Sequence, residues 1–301
     1  MFVVHYRNIF LGIGALLLAA AIGAILFFGL RFSIDFTGGT LLEISYTQER
    51  PTQDVISSKV ENLAVGSYSV RAAGEEGYII RTRDLNQDEL DALTALLSIE
   101  ENAVSVDRVT TIGPSLGGEL GRKALFALAA LSVVIVLYVA YVFRRVSKPV
   151  PSIYYGFIVV LALLHDIIIP TGFFAIMGYY FGAEIDALFV VALLAILGYS
   201  VNDTIVVFDR IRENIAANIE RNVKESFEIT VGKSLQQTYM RSINTSVTTA
   251  LALLALFFLG AGVTENFALT LLVGVVAGTY SSIFLAAPLL VSLQKKIYKK
   301  G

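Results

Sequence analysis

Leu188-Phe-Val-Val-Ala-Leu-Leu-Ala-Ile-Leu-Gly-Tyr-Ser-Val-Asn-Asp-Thr-Ile-Val-Val207 carries one charge, Asp203, in twenty residues. As a helix, a run of this length crosses about 30 Å of hydrocarbon. An ionisable side chain at that depth is costly, and function is the default explanation for it. The run belongs to a span over about 185–207, and five other stretches read the same way: about 9–30, 124–143, 153–177, 243–259 and 267–293. Hydrophobic residues make up 55% of the chain and charged residues 16%, more apolar than a soluble domain with a polar surface carries. The fold class is therefore a polytopic α-helical membrane protein with six transmembrane helices. The first run exceeds a signal-peptide h-region and lacks a small-x-small cleavage site before Arg31, so it reads as a retained span.

Basic residues set the expected orientation, because short loops rich in Lys and Arg stay cytoplasmic. Arg7, the turn with Arg144, Arg145 and Lys148, the segment from Arg210 to Arg241, and Lys295, Lys296, Lys299 and Lys300 together hold 14 of the 23 basic residues. The short loops at 178–184 and 260–266 hold none. Both termini are expected in the cytoplasm, with 1–30 as the first span, 31–123 as an extracytoplasmic domain, and 124–301 as the remaining five spans. Apolar residues at every fourth position, Ile211, Ile215, Ile219, Val223 and Phe227, predict a cytoplasmic amphipathic helix over about 209–240. That helix is a connector or a docking site.

The outer domain has no cysteine to staple it and must fold on its own core. Its pattern predicts a strand over 32–46 interrupted at Thr37-Gly-Gly39, a helix over 52–63, a hairpin of 68–72 with 78–82, a helix over 87–97 capped by Asn86 with Glu89, and a strand over 103–112. The order β-α-β-β-α-β is that of a ferredoxin-like α+β module. Fifteen acidic against nine basic residues argue against a nucleic-acid surface. Gly38 and Gly39 read locally as a strand bulge. Gly113, Pro114, Gly117 and Gly118 read as a hinge into the second span.

Asp203 is the principal site candidate, against the alternative of a neutral buried acid. Arg241, opening the next apolar helix, is its candidate partner, and Thr245 and Thr248 share a helix face with it at i+4 and i+7. Alternatively Arg241 snorkels to the headgroups as a positive-inside anchor. His165-Asp166 lies about 20 Å up the third span by helical rise, as an outer relay or an interhelical hydrogen bond.

Five strings carry a resemblance over nearly the whole chain: Phe36-Thr-Gly-Gly39, Ile112-Gly-Pro-Ser-Leu-Gly117, Leu164-His-Asp166, Gly198-Tyr-Ser-Val-Asn-Asp-Thr-Ile-Val-Val-Phe-Asp-Arg-Ile-Arg-Glu-Asn214 and Arg241-Ser-Ile-Asn-Thr-Ser246. The chain resembles the SecF family of the bacterial Sec protein translocase, relatives of the RND transporters. The resemblance implies a plasma-membrane subunit that pairs with SecD, beside the SecYEG channel and SecA, and acts on unfolded preproteins. It implies use of the proton motive force, with H⁺ or alternatively Na⁺ as coupling ion, no further cofactor, and no ATPase or other enzyme activity of its own. The family's proton-path acid falls on Asp203 and its partner arginine on Arg241. An RND-type small-molecule efflux subunit is the rival, but its outer domains are expected to be larger. An intramembrane aspartyl protease needs two carboxylates at one depth, and Asp166 and Asp203 read as lying at different depths.

Overall fold

The computed structural model describes residues 2–63, 68–74, 76–98, 102–144, 150–260 and 262–298. Arg145, Lys148, Lys299 and Lys300, counted above, lie outside these. The chain starts with the short helix α1 (Phe2–His5) and the first long one, α2 (Arg7–Phe28). Residues Phe32–Leu125 form one compact unit, and the rest of the described chain forms another.

The first unit contains α3 (Ile34–Thr37), β1 (Gly39–Tyr46), α4 (Gln53–Asn62), β2 (Ser69–Ala73), β3 (Gly77–Thr82), α5 (Gln87–Leu97) and β4 (Val104–Ile112). The strands make one antiparallel sheet in the order β2-β3-β1-β4, that of the expected ferredoxin-like module. Alternation on β1 turns Leu42, Ile44 and Tyr46 inward, where they meet Ile56 and Val60 of α4 and Leu93 and Leu97 of α5. Each such side chain contributes about 1.5–3 kcal/mol by leaving water. Asn86 and Glu89 form the capping box read from sequence: Glu89 N–H donates to Asn86 Oδ1 at 2.9 Å and Asn86 N–H to Glu89 Oε2 at 3.0 Å.

Two expectations for this unit are corrected. Residues 32–46 are not one interrupted strand, because Ser33 Oγ accepts the Asp35 N–H at 3.2 Å and nucleates the turn α3, which Gly38 ends at φ +75°. Gly38 thus precedes β1 and Gly39 opens it, paired with Ile112, and neither makes a bulge. A Cβ on Gly39, φ +136°, would lie 2.5 Å from the Thr82 carbonyl oxygen, so the site needs glycine. The irregularity in the sheet lies instead at Asp107, skipped where Glu43 and Ile44 pair with Arg108 and Val106. Likewise, the expected hinge is helix: α6 (Pro114–Val142) starts at Pro114, whose missing N–H costs nothing at a first helical position. Gly117 and Gly118 sit inside it without positive φ, and an exposed Lys123–Glu119 pair at 2.8 Å lies on its polar first turns.

The second unit is the bundle, built from α2, the apolar part of α6, α7 (Ser152–Tyr180), α8 (Ala187–Glu220), α9 (Phe227–Leu259), α10 (Gly262–Tyr280), a π-helical turn over Ser281–Ala286, and α11 (Ala287–Tyr298). Among the described residues six helices are long and apolar enough to cross a membrane, as expected. Small residues let them approach: a Cβ on Gly274 would collide with Ile196, and one on Gly278 would lie 3.0 Å from Ser200 Cβ. Phe143, Tyr155 and Phe208 interlock, with ring centroids 5.1–6.0 Å apart.

The amphipathic helix expected over 209–240 is two helix ends. α8 runs on to Glu220, and α9 begins at Phe227. Asn222 takes φ +55°, a left-handed conformation that Asn tolerates, and Ser226 caps α9 by accepting the Ile229 N–H. Glu228, in the first turn of α9, binds Arg7 Nη1 at 2.6 Å and also pairs with Lys295.

Candidate functional site

The bundle interior contains more polar groups than the sequence candidates. Asp166 on α7 is fully buried and its carboxylate is satisfied. Its Oδ1 is 2.9 Å from His165 Nδ1, and its Oδ2 accepts from Ser281 Oγ at 2.8 Å and from Ser200 Oγ on α8. One residue along the π turn, Ser282 Oγ is 2.9 Å from Thr204 Oγ1. A π turn holds an extra residue, and here it brings two consecutive serines into contact with α7 and α8. Above this level Tyr199 OH donates to Ser246 Oγ at 3.2 Å, and Ser246 meets Thr279 at 2.5 Å. Carboxylate, imidazole and hydroxyls each accept and most donate, so the cluster has the parts of a proton relay.

Asp203 lies one turn of α8 beyond Ser200 and is 5% exposed. Its Oδ2 and the Ser242 Oγ on α9 are both buried and complete no hydrogen bond of full geometry, although Ser242 stands within hydrogen-bonding reach of the carboxyl. A buried unpartnered polar atom is rare and costs about 1–3 kcal/mol. Asp203 is thus the strained carboxylate and Asp166 the satisfied one.

The structure separates the rest of the expected set. Arg241 stands within electrostatic reach of Asp203, yet among the described residues no ion pair joins them, and Arg241 is exposed. Thr245 and Thr248 are exposed too, and donate back to the carbonyls of Arg241 and of Asn244 and Thr245. The inward face of α9 is one residue out of phase with the expected stripe, at Ser242 and Ser246. His165 and Asp166 do join the interior cluster. Gly38, Gly39, Gly113, Pro114, Gly117 and Gly118 belong to the other unit. The depth estimate also changes. Asp166 is level with Ser200, so about 4.5 Å of helical rise separates it from Asp203. α8 also runs on past the expected span of 185–207, to Glu220. Among the described residues no hydrogen bond joins the two carboxylates, as a shared-proton dyad requires.

Ser200, Ser281, Ser282, Tyr199, Ser242 and Ser246 escaped the sequence reading. Ser200 lay in the quoted string, three residues before Asp203. Ser281-Ser282 followed Gly278 in an apolar run, but helical periodicity alone points only one of two adjacent serines inward.

Comparison with known proteins bears on the whole chain. Residues 92–296 match the family described as "Protein export membrane protein SecD/SecF, C-terminal", and residues 23–49 match the "SecD/SecF GG Motif". A protein translocase subunit SecF of Thermobaculum terrenum is 40% identical over 98% of this chain and 94% of its own length. That of Haemophilus influenzae is 34% identical over 91% and 80%. Among solved structures, SecDF of Thermus thermophilus, described as translocon-associated, superimposes with a TM-score of 0.84 at 32% identity, covering 97% of this chain and 38% of that one. SecDF in its super-membrane-facing form gives 0.66 at 31% identity, over 98% and 39%. The chain thus corresponds to little more than a third of the SecDF polypeptide. With a six-helix bundle, a ferredoxin-like domain and both family matches in place, the chain belongs to the SecD/SecF family of protein-translocation accessory subunits.

Proposed function

We propose that this subunit uses the proton motive force to promote preprotein passage through a SecYEG-type channel after SecA-driven insertion, paired with a SecD-type partner that supplies the remaining spans. Asp203 carries the proton, with the termini on the cytoplasmic side. The observation that supports this most directly is the unpartnered, buried Oδ2 of Asp203 in an apolar span, one turn from the Asp166 cluster. Such a group is stabilised by gaining a proton or a partner, so two states of the bundle can differ in its protonation. One charge falling through 100 mV releases about 2.3 kcal/mol, enough to bias a two-state equilibrium by about fifty-fold. Arg241 responds to the charge on Asp203, and H⁺ is the coupling ion. Na⁺ would be distinguished by flux that follows a sodium gradient at constant pH.

The test uses vesicles containing the chain and its SecD-type partner. Asp203→Asn keeps the volume and loses the titratable proton. It is expected to remove proton-driven stimulation of export while insertion and co-purification persist. Near-normal stimulation in this variant would remove Asp203 from the mechanism.

A further inference from the structure

The face of α9 turned toward α8 carries a hydroxyl at every fourth position: Thr230, Ser234, Thr238, Ser242 and Ser246, all buried. Small hydroxyl residues at this spacing usually serve close helix packing, each donating to the carbonyl four residues back. Four of the five do so: Thr230 to Ser226 O, Ser234 to Thr230 O, Thr238 to Ser234 O and Ser246 to Ser242 O, at 2.8–3.3 Å. Ser242 alone does not, and its Oγ is unpartnered. It is also the one that stands beside the unpartnered carboxylate oxygen of Asp203.

Toward the chain-terminal end of the bundle the same seam stays polar on both sides. Asn214 Nδ2 donates to Ser234 Oγ at 2.8 Å, and Asn218 Nδ2 to Thr230 Oγ1 at 3.1 Å. The seam ends in a cavity of about 480 Å³ lined by Asn218, Glu225 and Thr230 among others. Between Ser242 and Ser234 on α9 stands buried Thr238, and Val207 of α8 and Leu235 of α9 belong to one buried apolar cluster.

We infer that the α8–α9 seam is the route by which the proton leaves Asp203 toward the terminal end, with Ser242 as its first station. Ser242 relays the proton by accepting on Oγ, directly or from a water, as it gives its own hydroxyl proton to the next acceptor, a role open to it because that hydroxyl is not spent on the carbonyl four residues back. The inference rests on the proposed role of Asp203, and its test separates the two.

The chain contains no cysteine, so single-cysteine variants need no altered background. Ser242→Cys, near-isosteric with serine, is treated in vesicles containing the SecD-type partner with a membrane-impermeant methanethiosulfonate. Modification from the side of the termini is expected. Modification only from the opposite side, or from neither, overturns the route. In parallel, Ser242→Ala is expected to lower proton flux about tenfold or more, the scale of a lost relay group, while Ser242→Thr, which keeps the hydroxyl, restores it. Flux in Ser242→Ala equal to the parent overturns the role of Ser242. Full flux in Asp203→Asn would sink the proposed function itself, leaving the labelling result to judge the seam alone.

Discussion

Asp203 and Arg241 stand on neighbouring helices within electrostatic reach but form no ion pair, the carboxylate buried and the guanidinium exposed. Two charged-residue types arranged in this way are not a locked bridge. The acid lacks a partner, and the base faces away from the interior of this chain.

That arrangement makes Arg241 informative. Arg241→Lys keeps the charge and the positive-inside count but loses the planar five-donor fork. If the fork is used, proton-driven export falls by about tenfold, the scale of one charge-assisted hydrogen bond. Full activity in both Arg241→Lys and Arg241→Met, with topology unchanged, would identify a headgroup anchor.

Asp166 predicts a coupling between hydroxyls on different helices. Ser200→Ala and Ser281→Ala each remove one bond to Oδ2 and should cost about 1–2 kcal/mol of bundle stability. Because they share that oxygen, the double variant should depart from additivity by about 0.5 kcal/mol or more. Denaturant unfolding in detergent measures all three, and strict additivity would break the network.

Acid should loosen α5 of the outer domain through Glu89. Its hydrogen bond with Arg83, helped by the Asn86 N–H, holds its carboxyl down at about 2 from an ordinary 4.5. A depressed folded-state value stabilises above the unfolded one and is lost as pH falls between the two. Protection factors of α5 amides in the full chain, with the intrinsic pH dependence of exchange divided out, should therefore fall between about pH 4.5 and 2. Glu89→Gln keeps a capping group and should flatten this dependence, whereas an unchanged profile would assign the acid response elsewhere.

Gly117 and Gly118 are adjacent on α6 and predict opposite outcomes. A Cβ on Gly117 would lie 2.7 Å from the Gly38 backbone nitrogen and 3.1 Å from the Phe36 carbonyl carbon. Gly117→Ala should destabilise the outer domain by about 1–3 kcal/mol. Nothing lies within 4 Å of the position on Gly118, so Gly118→Ala should be neutral or gain up to about 1 kcal/mol of helix propensity. Limited proteolysis of the outer domain ranks them, and equal sensitivity would contradict the close approach.

Much of the fold was legible because it rests on long-range composition and local chemistry. Six apolar runs and the Asn86–Glu89 box each depend on residues a few positions apart. The errors lie where a boundary depends on tertiary contact or on one backbone angle. Asn222 splits the expected amphipathic helix, and Ser33 turns an expected strand into α3. On α9 the periodicity was correct and the phase was not, because Arg241 drew the stripe onto its own face, one residue from the buried ladder of Ser242 and Ser246. Asp203 was visible as a charge in an apolar run. Its lack of a partner was not, since that requires the positions of three helices.

The winding at Ser281–Ala286 has a consequence for how the interior is wired. A π turn holds one residue more than an α-helical turn, so it resets the register of the side chains around it. Both interior contacts of α10 with the carboxylate region, Ser281 to Asp166 and Ser282 to Thr204, are made from the turn itself. Two separate contacts between helices thus depend on the winding of one short turn, so a change in its register would reach α7 and α8 at once.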